Sequence, residues 1–155
     1  MSPTATSGRT SHSRRHIHDP GARQVLLLVV GHRTRLIKHG KQIAAAAHAR
    51  PGHTPGRRVP RPDTKNLQQG LLGFRGDLLS LHHDVSAVRC HTRAGRHGAA
   101  LLGEGLLTFD TSARTYLTAI SAPDRATKAK LLSQAQDSNK RAQRTMNTAL
   151  SLLER

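Results

Sequence analysis

The feature that most constrains the fold is a seven-residue repeat over positions 132–153. One row of the repeat holds Leu, Asn or Met, and alanine stands three positions after each of its first three members. The residues are Leu132, Ala135, Asn139, Ala142, Met146, Ala149 and Leu153. This spacing places both rows on one face of a helix. Because strong helix formers fill the positions between them, the pattern predicts a long amphipathic helix near 122–154.

The start of this helix is predicted by the sequence SAPD, Ser121–Asp124. In a capping box, the side chain of a serine at the N-cap accepts a hydrogen bond from a backbone N–H of the first turn. The side chain of an acidic residue three positions later accepts one from the backbone N–H of the serine. Pro123 in the first turn costs no hydrogen bond. We therefore expect a C-terminal helical segment, 121–155, with its N-cap at Ser121.

The alanine row leaves two alternatives for what covers the helix. Small side chains let a partner helix approach closely, so a second copy of the chain could supply that partner and form a homodimer. In such a dimer, Asn139 would set the register. Alternatively, the helix docks on its own domain and Asn139 faces solvent.

Residues 24–49 combine an apolar run with a basic segment. Val25–Val30 is rich in valine and ends at Gly31, which predicts a short strand or the first turn of a helix near 24–30. Apolar residues at helical spacing then predict a basic helix near 33–48.

Two familiar interpretations of this region fail on spacing and on length. A phosphate-binding loop would need glycine at position 35 and Ser or Thr at position 42, where Arg35 and Gln42 stand. The apolar run Val25–Val30 is much shorter than the roughly 20 residues that cross a bilayer. We therefore expect neither a nucleotide site nor a membrane span.

The remaining segments predict little regular structure. Residues 1–23 are polar and basic and are expected to form a disordered arm, and residues 50–66 read as a Pro/Gly/Arg linker. Residues 67–120 contain two leucine-pair segments interrupted by glycine, Leu71–Leu81 and Leu101–Phe109, and predict a weakly structured region. With two Phe, one Tyr and no Trp, a core would depend on leucine. The predicted fold class is mainly α with a large irregular or disordered content.

Residues 81–98 collect the side-chain types that metal sites and thiol enzymes use. They are His82, His83, Asp84, Cys90, His91 and His97. Structural zinc sites space their ligands in pairs such as C-x2-C, and this segment lacks that pairing. A catalytic constellation also needs a rigid scaffold, which the pattern here does not predict. We therefore predict no metal site, no cofactor and no enzymatic activity.

The positive charge is concentrated in the first part of the chain. The chain has 25 Lys and Arg against 9 Asp and Glu, and Asp19 is the one acid among residues 1–60. Arginine suits phosphate through bidentate contacts. The candidate nucleic-acid-binding residues are Arg14, Arg15, Arg33, Arg35, Lys38, Lys41, Arg57, Arg58 and Arg61. Since no recognition motif and few aromatic side chains accompany them, we expect non-sequence-specific binding of DNA, RNA or another polyanion.

Two further hypotheses fit the same sequence. Abundant Arg, Ala, Gly and Pro with scarce aromatic residues is typical of GC-rich DNA translated in a frame that was not selected for folding. The chain would then be the product of an overlapping or antisense reading frame with no evolved activity. The other hypothesis is a protein-interaction module that uses the helix 122–154. An intracellular location is expected, in the nucleus or nucleolus if the source is eukaryotic.

Overall fold

The structure is a computed structural model that describes residues 17–47 and 63–155. These residues form four helices: α1, Pro20–Ala47; α2, Thr64–Ser86; α3, Arg93–Ile120; and α4, Arg125–Leu153. The described residues contain no strand, and 87% of them are helical. The prediction of a mainly helical chain is thereby confirmed. Residues 1–16 and 48–62, which hold most of the predicted arm and linker, lie outside the described part.

The start of α1 is fixed by the carboxylate of Asp19. Its Oδ1 atom accepts hydrogen bonds from the N–H groups of Gly21 (2.9 Å) and Ala22 (3.3 Å). Pro20 suits the first turn because its fixed φ is helical and it has no N–H to satisfy. The expectation of disorder over 1–23 is therefore wrong from Pro20 onward.

A single helix, α1, replaces the predicted apolar element and separate basic helix. Gly31 does not end it, although a glycine in a helix costs about 1 kcal/mol relative to alanine. Val25 and His32, on either side of Gly31, and Ala46 near the C-terminal end are buried against the rest of the protein. That burial offsets the cost of the glycine, so of the two alternatives predicted for 24–30, strand or helix, the helix is observed.

The second helix, α2, begins within the segment that was expected to be a linker. Asp63 is its N-cap, and its side chain accepts a hydrogen bond from the N–H of Asn66 (3.1 Å). The helix starts at Thr64, so the predicted linker over 50–66 ends earlier than its sequence suggested.

Most of the region 67–120 lies in α2 and α3, not in the weak structure that was expected. Both leucine-pair segments are helical throughout: Leu71–Leu81 lies in α2, and Leu101–Phe109 lies in α3. Thr92 caps α3 by accepting a hydrogen bond from the N–H of Gly95 (2.9 Å). The glycines that suggested turns are thus positions inside long helices.

The N-cap of the C-terminal helix lies three residues after the predicted one. Asp124 is the observed N-cap of α4, and it accepts hydrogen bonds from the N–H and the hydroxyl of Thr127, both at 2.7 Å. Ser121 instead ends α3, where it is the C-cap. The predicted capping box is therefore wrong, because Asp124, which was expected at the third helical position, is itself the N-cap.

Two rows of small residues at seven-residue spacing join α3 to α4. The α3 row is Gly98, Gly105 and Ser112, and the α4 row that meets it is Ala149, Ala142 and Ala135. A Cβ atom added at Gly98 would lie 3.1 Å from the carbonyl oxygen of Ala149. At the other end, the hydroxyl of Ser112 donates a hydrogen bond to the carbonyl of Ala135 (2.7 Å). The two helices therefore approach closely along the whole row.

The core is made largely of leucine and alanine. The largest fully buried side chains are Leu81, Leu102, Leu106, Leu153 and Val25. Two carboxylates are also buried, Asp19 and Asp110. Asp110 of α3 is compensated by Arg75 of α2, whose Nε lies 2.7 Å from its Oδ1.

The first helix is held mainly by α2. His32 and His39 of α1 place their Nε2 atoms 3.1 and 3.0 Å from carboxylate oxygens of Asp84 and Asp77 of α2. Only sparse contacts join α1 to α4, whereas α3 and α4 share the most extensive interface of the bundle. The outer side of α1 is consequently left exposed.

Candidate functional site

Every lysine and arginine of α1 is exposed, and three of them lie near one line along the outer side of the helix. The five residues are Arg23, Arg33, Arg35, Lys38 and Lys41. Arg23 and Lys41 are 18 residues, or five whole turns, apart, so they project in the same direction about 27 Å from each other. Lys38 lies near this line, and Arg33 and Arg35 flank it on opposite sides. We call these five residues the basic face.

No acidic residue interrupts the basic face. The segment Pro20–Ala47 contains neither Asp nor Glu. The α2 carboxylates that contact α1, Asp77 and Asp84, meet its histidines on the opposite, packed side. In the part of the chain that the structure describes, none of the five cations forms an ion pair. Glu154, the C-cap of α4, lines the same groove as Arg33, but it forms no ion pair with it, so the five cations of the basic face stay unpaired among the described residues.

Apolar side chains lie between these cations. Leu27 is 63% exposed, Val30 is 64% exposed and Ile37 is 45% exposed. The basic face therefore offers alkyl surface as well as charge. None of the four described helices combines the length and the apolarity that crossing a bilayer requires.

The basic face contains four of the nine predicted nucleic-acid-binding residues, Arg33, Arg35, Lys38 and Lys41. The other five lie outside the described residues: Arg14, Arg15, Arg57, Arg58 and Arg61. Arg23 was missed because the sequence placed position 23 in a disordered arm. Its spacing of five whole turns from Lys41 is the signal that could have identified it.

The predicted interaction helix uses its alanine row inside the bundle. Ala135, Ala142, Ala149 and Leu153 are buried, and Leu132, Asn139 and Met146 are half-buried. Because α3 covers the alanines, that row is not available to a second copy of the chain. The geometry matches the alternative in which the helix docks on its own domain, with the difference that Asn139 is not fully exposed.

The His- and Cys-containing segment shows no constellation suited to metal chemistry. Within residues 17–47 and 63–155, no three His, Cys, Asp or Glu side chains are grouped so as to hold an ion. Asp84 contacts His32 of α1 instead of a neighbouring histidine. Burial raises the pKa of the Cys90 thiol, and the nearby carboxylate of Asp19 adds to the effect. Such a thiol is a poor source of the reactive thiolate.

Comparisons with known proteins give no assignment for this arrangement. The chain matches no protein-family model, and no curated protein or solved structure shows significant similarity to it.

Proposed function

We propose that the chain binds nucleic acid without sequence specificity and that the basic face of α1 contacts the phosphates. The observation that supports this is a helix that contains no acid and exposes all five of its cations, with Arg23, Lys38 and Lys41 near one line along its outer side. Duplex DNA carries one negative charge per roughly 1.7 Å of axis, so a cationic row about 27 Å long meets phosphates along its whole length. Binding releases the counterions condensed on those phosphates, which makes the affinity depend on salt.

The positions of the aromatic rings favour phosphate contact over base stacking. Phe74 lies in α2, and Phe109 and Tyr116 lie in α3, so none of them belongs to the basic face. Proteins that hold single strands stack bases on aromatic side chains. We therefore expect duplexes of unrelated sequence to bind with similar affinity.

Basic residues that adjoin α1 in sequence would add to the same surface charge. Arg14 and Arg15 precede the helix, and Arg57, Arg58 and Arg61 follow it. Each further phosphate contact would steepen the dependence of affinity on salt by about 0.9 in the logarithmic slope.

The test is fluorescence anisotropy of the full chain with two labelled duplexes of unrelated sequence, between about 50 and 200 mM salt. The variant replaces three cations of the basic face: Arg23→Gln, Lys38→Gln and Lys41→Gln. If all three contact phosphate, the slope of log affinity against log salt falls by about 2.7. Wild type should bind both duplexes equally.

A matched control removes the same charge from another helix. Lys130→Gln, Lys140→Gln and Arg144→Gln also replace two lysines and one arginine, all exposed on α4. This control should keep the wild-type slope. Equal losses in both variants would show that overall charge, and not the basic face, drives binding. Failure of wild type to bind either duplex at the lowest salt would refute the proposed function.

The reading-frame hypothesis predicts no selected function at all, and the coding DNA tests it. Codon usage typical of selected genes would favour the binding function, whereas a longer overlapping frame on either strand would favour a by-product. The matched small-residue rows of α3 and α4 support selection for a packed fold, because helices close in on each other only where both partners are small.

A further inference from the structure

One cavity in the bundle collects all the aromatic side chains of the chain. Its volume is about 280 Å³, and residues of all four helices line it. The chain has two Phe, one Tyr and no Trp, and Phe74, Phe109 and Tyr116 all face this space. Rings from α2 and α3 thus meet at one site.

The rings are not sealed into the core. All three are half-buried, whereas the leucines of the core are fully buried. Phe74 and Phe109 stand almost perpendicular, with ring centroids 6.5 Å apart and an interplanar angle of 87°. This is one of the arrangements that aromatic rings prefer, and a third ring can join it in the same way.

The cavity has unfilled space beside α1. Gly40 of α1 lines the cavity, and a Cβ atom added there would find no atom within 4 Å. The wall is therefore missing a side chain at this point. Water that occupies such an apolar space has few hydrogen-bond partners, so an apolar ligand displaces it favourably.

The polar groups of the cavity are neutral. None of its lining residues carries a charge, and hydrogen-bonding groups come from the hydroxyls of Tyr116 and Ser112 and the amides of Gln136 and Asn139. The Ser112 hydroxyl already donates to the carbonyl of Ala135. A charged ligand would lose its hydration here without meeting an opposite charge. The lining therefore selects against ions, unlike the basic face.

We propose that this cavity binds a small, neutral, planar aromatic molecule with one hydrogen-bonding group. A cavity of about 150 Å³ holds benzene, so the observed volume suits a bicyclic ring system. The rings would lie against Phe74, Phe109 and Tyr116, and the polar group would meet the amide of Asn139 or Gln136.

The experiment titrates the full chain with 2-naphthol, a neutral bicyclic phenol, and follows its fluorescence. Wild type should bind it saturably, and 2-naphthalenesulfonate should bind at least tenfold more weakly at this site. Gly40→Leu places a side chain in the cavity and should weaken 2-naphthol binding at least tenfold. Gly31→Leu is the matched control, because Gly31 is another glycine of α1 with no atom within 4 Å of an added Cβ and does not line the cavity. It should bind within twofold of wild type.

Several outcomes would overturn the proposal. They are no saturable binding by wild type, unchanged binding by Gly40→Leu, or equal weakening by Gly31→Leu. If circular dichroism shows that Gly40→Leu does not fold, Asn139→Leu decides. That change narrows the cavity and removes an amide, and it should weaken binding at least tenfold. Unchanged binding by a folded Asn139→Leu variant would place the probe elsewhere and reject the site.

Discussion

Thr92 donates two hydrogen bonds to a single oxygen of Asp19, one from its backbone N–H and one from its hydroxyl, each 2.8 Å long. The N–H of His91 donates a third to the same oxygen at 3.0 Å. Asp19 starts α1 and Thr92 caps α3, so one carboxylate ties the beginnings of two helices together. The packing is tight here, because a Cβ atom at Gly21 would overlap the backbone of Arg89.

We expect Asp19→Asn to lower the free energy of unfolding by about 2 kcal/mol, since hydrogen bonds to a charged acceptor are the stronger kind. The side-chain amide of the variant would also place an NH2 donor where an oxygen of Asp19 now accepts hydrogen bonds from N–H and O–H groups. Urea unfolding followed by circular dichroism measures the change. Asp124→Asn is the control, because Asp124 caps α4 with similar bonds to Thr127 but is exposed. A larger loss in the control would contradict this account.

The stability contributed by Asp19 should disappear in acid. Burial alone would raise the pKa of this carboxyl, but the hydrogen bonds from Thr92, His91 and Ala22 outweigh it and hold the pKa well below its usual value. The pKa of Asp19 in the folded state lies below its unfolded value of about 3.9. Its contribution to stability is therefore complete above the unfolded pKa and is lost progressively as the pH falls from there through the folded pKa. The difference in unfolding free energy between wild type and Asp19→Asn should therefore shrink from pH 6 toward pH 2. A difference that is constant over this range would contradict the prediction.

Three glycine-to-alanine changes should separate close packing from helix propensity. At Gly98 the new Cβ would lie 2.8 Å from Cγ of the buried Leu153 and 3.1 Å from a backbone carbonyl, so we expect a loss of about 1–3 kcal/mol. At Gly105 the nearest atom, at 2.6 Å, belongs to the flexible side chain of Met146, and the effect should be smaller. Gly76 has open space around it, so alanine there should stabilise by about 0.5–1 kcal/mol. Thermal unfolding gives the order, and a stabilising Gly98→Ala would refute the close approach.

Much of α4 could be predicted from sequence because its helix formers and its seven-residue repeat act locally. Its first residue could not, because Ser121 and Asp124 are both good caps and the choice depends on where α3 ends. The glycines of α3 were misjudged for a physical reason. Glycine usually marks a turn, and Gly105 within Leu101–Phe109 was interpreted in that way, but it stands seven residues after Gly98 and both face alanines of α4. That matching period was present in the sequence as a signal for a helix pair.

The two candidate sites differ in how far sequence alone could predict them. The basic face lies on one helix, so its cations share a short stretch of chain and most were found. The aromatic cavity could not be found in this way, because Phe74, Phe109 and Tyr116 belong to two helices and converge only when the bundle forms. The burial of the α4 alanines likewise depends on α3, so sequence left open what would cover them.

The four-residue connection between α3 and α4 has a kinetic consequence. These helices lie next to each other in sequence, so bringing them together costs little loop-closure entropy. The tie between Asp19 and Thr92 spans 73 residues and forms only when a far longer loop closes. Because local contacts form fastest, we expect the α3–α4 hairpin to be present in the transition state for folding and α1 to join afterwards. We therefore expect α1, the helix that carries the basic face, to pack last during folding and to detach first during unfolding.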